Sequence, residues 1–161
     1  MAATFQWSES NGAGEEITDG ISNLNFGSND SANLNTLTYP VIIGTNSYEK
    51  YIRIKFSGSG WSEISNVKLW KSAGAYKTGE VIKAISNQTY DEPVDTTSSK
   101  ATEDIPTEEG SALDIESTEG DPSIFTEAGY SKYIVMQTQS TGSTPSGSGN
   151  TKTITVQYDE V

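Results

Sequence analysis

Apolar and polar positions alternate most densely between residues 47 and 72, SYEKYIRIKFSGSGWSEISNVKLWKS. Ile52, Ile54 and Phe56 fall on one side of an extended chain and Tyr51, Arg53 and Lys55 on the other, the period of two that marks a strand with one buried and one wet face. Val67 and Leu69 repeat the pattern against Asn66, Lys68 and Trp70. The SGSG between the two halves supplies residues that tolerate a reversal, so the stretch predicts a β-hairpin.

The same reading extends along the chain. Phe5 and Trp7 share one face of a short first strand. Ile17, Ile21, Leu24 and Phe26 have a spacing that a helix would also produce, but Thr18, Gly20, Ser22, Asn23 and Asn25 are poor helix interiors, which favours a bent or bulged strand. Residues 41–43 predict a short strand closed by Gly44. Residues 81–85 predict one buried on both faces or carrying a bulge, because their apolar positions do not alternate cleanly. Residues 87–100 read as a loop around Pro93 with room for one edge strand. Leu113 and Ile115 alternate with acids in a strand with a solvated outer face. Residues 130–139 and 151–158 form two last strands, with Ile154, Val156 and Tyr158 inward. The Gly-, Ser- and Pro-rich residues 140–150 between them predict a long, flexible hairpin loop.

About eight strands, hairpin connections and little or no helix imply an all-β, antiparallel two-sheet sandwich or jelly-roll-like fold, since one such sheet must bury its apolar face on another. The length of 161 residues suits a single domain, residues 1–161. Ser and Thr make up roughly a quarter of the chain, a composition of short strands and long polar loops.

Charge and missing residue types narrow the chemistry. A net charge of −12 repels nucleic acid phosphates and anionic membranes, so neither is an expected partner. The N-terminal residues have neither the basic nor the apolar region of a secretion signal, and no segment is apolar enough for a membrane helix. The sequence holds no His and no Cys, which removes Ser-His-Asp and Cys-His nucleophiles, disulfides and the usual zinc sites. GSGW at 58–61 lacks the lysine and following helix of a phosphate-binding loop. A glycosidase needs only two carboxylates, one of them in an apolar pocket, whereas Glu103, Asp104, Glu108 and Glu109 read as a solvated acidic face. Asn29, Asp30, Asn33 and Asn35 offer oxygens of the kind calcium takes, but no EF-hand spacing, and Asx turns account for the same residues. No cofactor or metal is expected. Trp7, Trp61, Trp70 and Tyr76 are the residues from which a sugar-stacking platform would be built. Trp61, Trp70 and Tyr76 are the candidate ligand or partner contacts, with Trp61 first because it sits at a Gly-rich turn.

FGSNDSANL, the Pro-Val-Ile-Ile-Gly segment, NSYEKYIRIKFSG, ISNVKLWKS and the closing TKTITVQYDEV together resemble small β-rich virion structural proteins of tailed bacteriophages. The likeness spans residues 17–85 and the closing strand. It implies a non-enzymatic capsid decoration or cement protein that binds the head shell, or else a neck, tail or fibre component. The implied partners are the major capsid protein or other virion proteins and further copies of the chain, and the implied location is the virion, assembled in the host cytoplasm. A carbohydrate-binding β-sandwich module is the competing expectation.

Overall fold

The computed structural model describes residues 2–97, 100–115 and 124–161. Ten strands make two antiparallel sheets: β1 (Thr4–Asn11), β2 (Glu16–Asp19), β3 (Lys50–Ser57), β4 (Ile64–Ala73), β5 (Glu80–Asn87), β6 (Leu113–Asp114), β7 (Ile124–Phe125), β8 (Gly129–Tyr130), β9 (Tyr133–Ser140) and β10 (Thr153–Glu160). The larger sheet has the order β2-β1-β3-β9-β5, with β8 also on β3. The smaller has the order β10-β4-β6, with β7 also on β4. The expected all-β sandwich is present. Among the described residues the only helical turn is a 3₁₀ turn at Glu109–Ser111, and no helix is long and apolar enough to cross a membrane.

The stretch 47–72 is central, but it is not a hairpin. β3 pairs with β1, β8 and β9, while β4 pairs with β10, β6 and β7, so each half is the middle of a different sheet. The physical reason is that both halves carry a fully apolar face. Ile52, Ile54 and Phe56 meet Val67 and Leu69 across one core, a contact that side-by-side pairing would forbid. Gly58 and Gly60, at φ of 96° and 105°, turn the chain from one layer to the other.

β4 also shows why strict alternation breaks. Ile64 and Val67 are three apart yet both buried. Asn66 has φ of 52°, and the register with β10 steps from Lys68–Gln157 to Ser65–Asp159, three residues on β4 against two on β10. This bulge returns Ile64 to the inner face. β5 needs no such device: its register with β9 is continuous, Ile82 and Ala84 enter the main core and Ile85 packs on the opposite side.

Tyr51 corrects the expectation of a wet outer face on β3. It is buried in a second cluster with Ala101, Tyr133 and Val135, against which Ile85 and Tyr90 pack. Residues of the 88–101 segment lie over the larger sheet and make a partial third layer; Asn87 ends β5, and among the described residues after it up to 101 no further strand forms, so the edge strand allowed for there is not seen in them. The rings of Tyr51, Tyr90 and Tyr133 stand 5.0 to 6.0 Å apart, and the Arg53 guanidinium lies 4.3 Å from the centre of the Tyr133 ring and 4.6 Å from that of Tyr130.

Three further expectations change. Residues 41–43 are not a strand. After the paired residues of β2, the segment expected to continue it runs unpaired, with Ile21, Leu24 and Phe26 still on the core. β9 and β10 lie in different sheets, so residues 140–150 cross between layers and are not a hairpin loop. Thr141 N donates to Gly79 O at 3.0 Å, Lys77 Nζ to Gly147 O at 3.1 Å and Asn150 Nδ2 to Ala75 O at 3.0 Å.

Phe56 lies 5.0 Å from the ring centres of both Phe125 and Tyr158 and 6.1 Å from that of Phe5. Phe56→Ala is expected to cost about 3–5 kcal/mol in urea unfolding; a loss below 1 kcal/mol would mean that the site collapses around the void. A second expectation concerns alkaline pH. Burial, followed by the hydrogen bond to Glu15, raises the Tyr133 phenol from 10.0 to about 12, and burial also raises Tyr51 and Tyr90. The folded chain therefore holds these protons more tightly than the unfolded one. Their contribution is complete below pH 10 and is lost as pH rises toward 12. Unfolding midpoints followed with phenolate absorbance should fall over that window, less steeply for Tyr133→Phe.

Candidate functional site

Residues 31–48 contain no charged side chain, and neither do residues 133–151. The fold lays part of one beside part of the other. Ser47 N donates to Thr138 O at 2.8 Å, Asn46 bridges Gln139, Gly44 N donates to Ser140 Oγ at 3.1 Å and Ser140 Oγ donates to Thr45 O at 2.8 Å. In a chain of net charge −12 the result is one neutral region.

That region is also apolar. Leu37 is 92% exposed, Ile42 62%, Ile43 44% and Tyr39 41%, the largest group of exposed apolar side chains within one short segment. The β-branched residues that suggest a strand at 41–43 are instead held outward by a folded loop. Leu34, 3% exposed, anchors its base. Leu37 N donates to Asn35 Oδ1 at 3.0 Å, the Asx turn expected of this segment. Ser28 N donates to Tyr39 O at 3.2 Å, and Thr45 donates through both N and Oγ1 to Ile42 O. Gly27 permits the closure, because a Cβ there would stand 2.1 Å from Tyr39 O. The loop thus satisfies backbone groups by its own turns and presents its apolar side chains to solvent. Four such groups lie within seven residues of one loop, a density that makes it the candidate contact surface.

The loop's first half is fastened to the sandwich by a buried cation. Lys50 and Glu9, 0% and 1% exposed in their side chains, form an ion pair at 2.7 Å, and Lys50 Nζ also donates to Ser31 O at 2.8 Å. Asn11 Nδ2 donates to Glu9 Oε1 at 3.0 Å and to Asp30 Oδ1 at 2.7 Å, while Gly12 N donates to Asp30 Oδ2 at 2.7 Å. Both oxygens of Asp30, the only charged member of the calcium-like set, are therefore engaged by protein donors. Among the described residues no three acidic side chains converge.

The candidate aromatics do not form one platform. Trp7, Trp61 and Tyr76 are half-buried against the main core, and the Lys71 and Lys152 ammonium groups lie 4.8 and 5.6 Å from the centre of the Tyr76 ring. Trp61 fills the end of the sandwich where the chain crosses from β3 to β4, which is how a Gly-rich turn gives it a core role. Its Nε1 is buried without a hydrogen-bond partner. Trp70 is placed differently. It alternates with the fully buried Leu69 and so lies half-exposed on the outer face of the smaller sheet, opposite Thr155. No protein family matches the chain, and neither does any curated protein or solved structure.

Lys50→Met leaves the Glu9 carboxylate buried without its cation and frees Ser31, and is expected to destabilise by about 3–5 kcal/mol. The double variant Glu9→Leu with Lys50→Met should recover most of that in urea unfolding. Equal losses for single and double variants would show that the pair contributes through shape alone.

Proposed function

We propose that this protein is a non-enzymatic structural protein of a bacteriophage particle that decorates the head shell, docking through the apolar loop at residues 37–43. The observation that carries this reading is the ordered loop itself, four exposed apolar side chains on a neutral region of an otherwise acidic chain. Burying such groups against a protein lattice supplies the association energy, about 1.5–3 kcal/mol for each large side chain fully covered. The acids elsewhere on the surface keep free copies soluble and apart. The sequence likeness to small virion proteins supports the same role, and a neck, tail or fibre position would use the same face. Further virion proteins or further copies are the partners this implies.

A second reading, a glycan-binding module, is favoured by Trp70. Its ring lies on an open sheet face whose neighbours include Lys68, Ser72, Thr155 and Gln157, with Ser72 and Thr155 hydroxyls 2.6 Å apart. Apolar ring and polar rim suit a sugar.

The test is to add purified protein to head shells that lack it. Binding with a raised disruption temperature is expected. Leu37→Asp and Ile42→Asp should each weaken it about tenfold or more, about 1.4 kcal/mol or more, while leaving the unfolding midpoint within roughly 0.5 kcal/mol of the parent. Binding that these variants leave intact would overturn the loop as docking site, and no binding to any particle component would overturn the virion role. Glycan-dependent fluorescence that disappears in Trp70→Ala would move the assignment to the second reading.

A further inference from the structure

The two sheets are unequal in width. The larger is five strands across and the smaller three. β10 lies over β1, since Tyr158 stacks on Phe5 at 6.4 Å with the rings 10° from parallel, and Ala3 N donates to Glu160 Oε2 at 3.0 Å. Val67 and Leu69 of β4 share the core with Ile52, Ile54 and Phe56 of β3, Phe56 also meets Tyr158 of β10 and Phe125 of β7, and β6 lies against β5. Among the described residues, β2 therefore projects past β10 with no strand of the smaller sheet above it.

The sheet edges differ in the same direction. On the larger sheet β2 is only four residues long, and β5 is covered by residues 103–105: Ala84 N donates to Glu103 O at 2.8 Å and Ile105 N to Ile82 O at 2.9 Å. On the smaller sheet β6 has two residues. β10 has eight, pairs only with β4, and among the described residues makes no backbone hydrogen bond on its other side. Its strand carries no proline or lysine, its two register shifts lie in the ladder to β4, and its only charged residues are Asp159 and Glu160 at one end, so residues 153–158 of the edge are unguarded. The inner side chains agree. Ile64, Val67 and Leu69 of β4 are buried, whereas Ile154, Val156 and Tyr158 of β10 are only half-buried and line, with Phe5 and Trp7, an open cleft of about 260 Å³ whose side chains are apolar and whose exposed surface is in part polar.

We infer that the free edge of β10 and this cleft bind an extended peptide segment that adds a fourth strand to the smaller sheet. Backbone hydrogen bonds to β10 hold it, and alternate apolar side chains enter between β10 and β1. A second copy does not fit. Two copies joined β10 to β10 would set each projecting β2 into the place of the other's β1, whereas a single strand brings no second sheet with it. Asp159 and Glu160 close the edge in a chain of net charge −12, so the segment carries Lys or Arg at the end that meets them. A strand presents alternate side chains to the cleft, so its lining of Phe5, Trp7, Ile154, Val156 and Tyr158 calls for apolar residues at every second position of the segment.

This inference stands apart from the docking loop at residues 37–43, and its test separates the two. A random nine-residue peptide library is selected against the whole protein, with an edge-blocked variant as counter-target. The variant comes from the pair Thr155→Pro and Val156→Pro. Neighbouring residues of a strand direct their N–H groups to opposite sides, so one substitution breaks the ladder to β4 and the other removes only an edge donor. The one that retains the parent's unfolding midpoint is used. Enriched peptides should alternate apolar residues and carry a basic end. Their binding should fall at least tenfold on alternate N-methylation and on the edge-blocked variant, and should be unchanged by Ile42→Asp. Failure to enrich against the parent over the variant overturns the inference. So does enrichment of peptides that tolerate N-methylation, or of peptides that Ile42→Asp abolishes.

Discussion

Phe56 is the contact on which both sheets depend. It projects from the middle strand of the larger sheet onto Tyr158 and Phe125 of the smaller and onto Phe5 of its own. The edge-to-face geometry of these rings fixes how far apart the layers stand and where β10 can lie. Everything placed relative to β10, including the cleft, follows from that packing. With no disulfide possible in the chain, such side-chain contacts and the strand ladders supply the cross-links.

Charge is distributed in a way that complements this architecture. Acids are spread over most of the chain, yet two runs that are far apart in sequence carry none, and the fold brings them together around the loop at residues 37–43. The deeply buried ion pair of Lys50 with Glu9 does not break that neutrality, because it closes on itself and on the backbone of Ser31. A buried pair of this kind stabilises little relative to apolar packing, but it permits only one seating of the loop's first half.

Much of the fold was legible because strands with one dry face leave a period of two: Ile52, Ile54 and Phe56, or Ile154, Val156 and Tyr158, name their inner faces directly. Sheet membership was not legible. A Gly-rich connection of six residues permits either a hairpin or a crossing, and only the facing core decides. Tyr51 was misjudged because its cover comes from residues some forty to fifty positions away, including Tyr90 and Ala101. Residues 41–43 were misjudged because β-branched side chains report strand preference, while the backbone there is committed to turns. The loop had one readable sign, its lack of charge over eighteen residues, 31–48. The open edge of β10 had none, since strand order is a property of the whole chain. Of the candidate aromatics, Trp70 alone shows an open face, and Trp61 and Tyr76 serve the core.

The crossings from β3 to β4 and from β9 to β10 also govern how the molecule comes to be folded. Neither connection lets neighbouring strands zip together, so the middle of the smaller sheet, β4, has its longest ladder with β10, 80 to 96 residues further along. Outside the β1–β2 hairpin, most of the stabilising contacts must close long loops before they repay the lost chain entropy. Assembly therefore belongs to the slow, millisecond-to-second regime of non-local β topologies. During synthesis the edge of β4 has to wait, unpaired, until β10 has emerged.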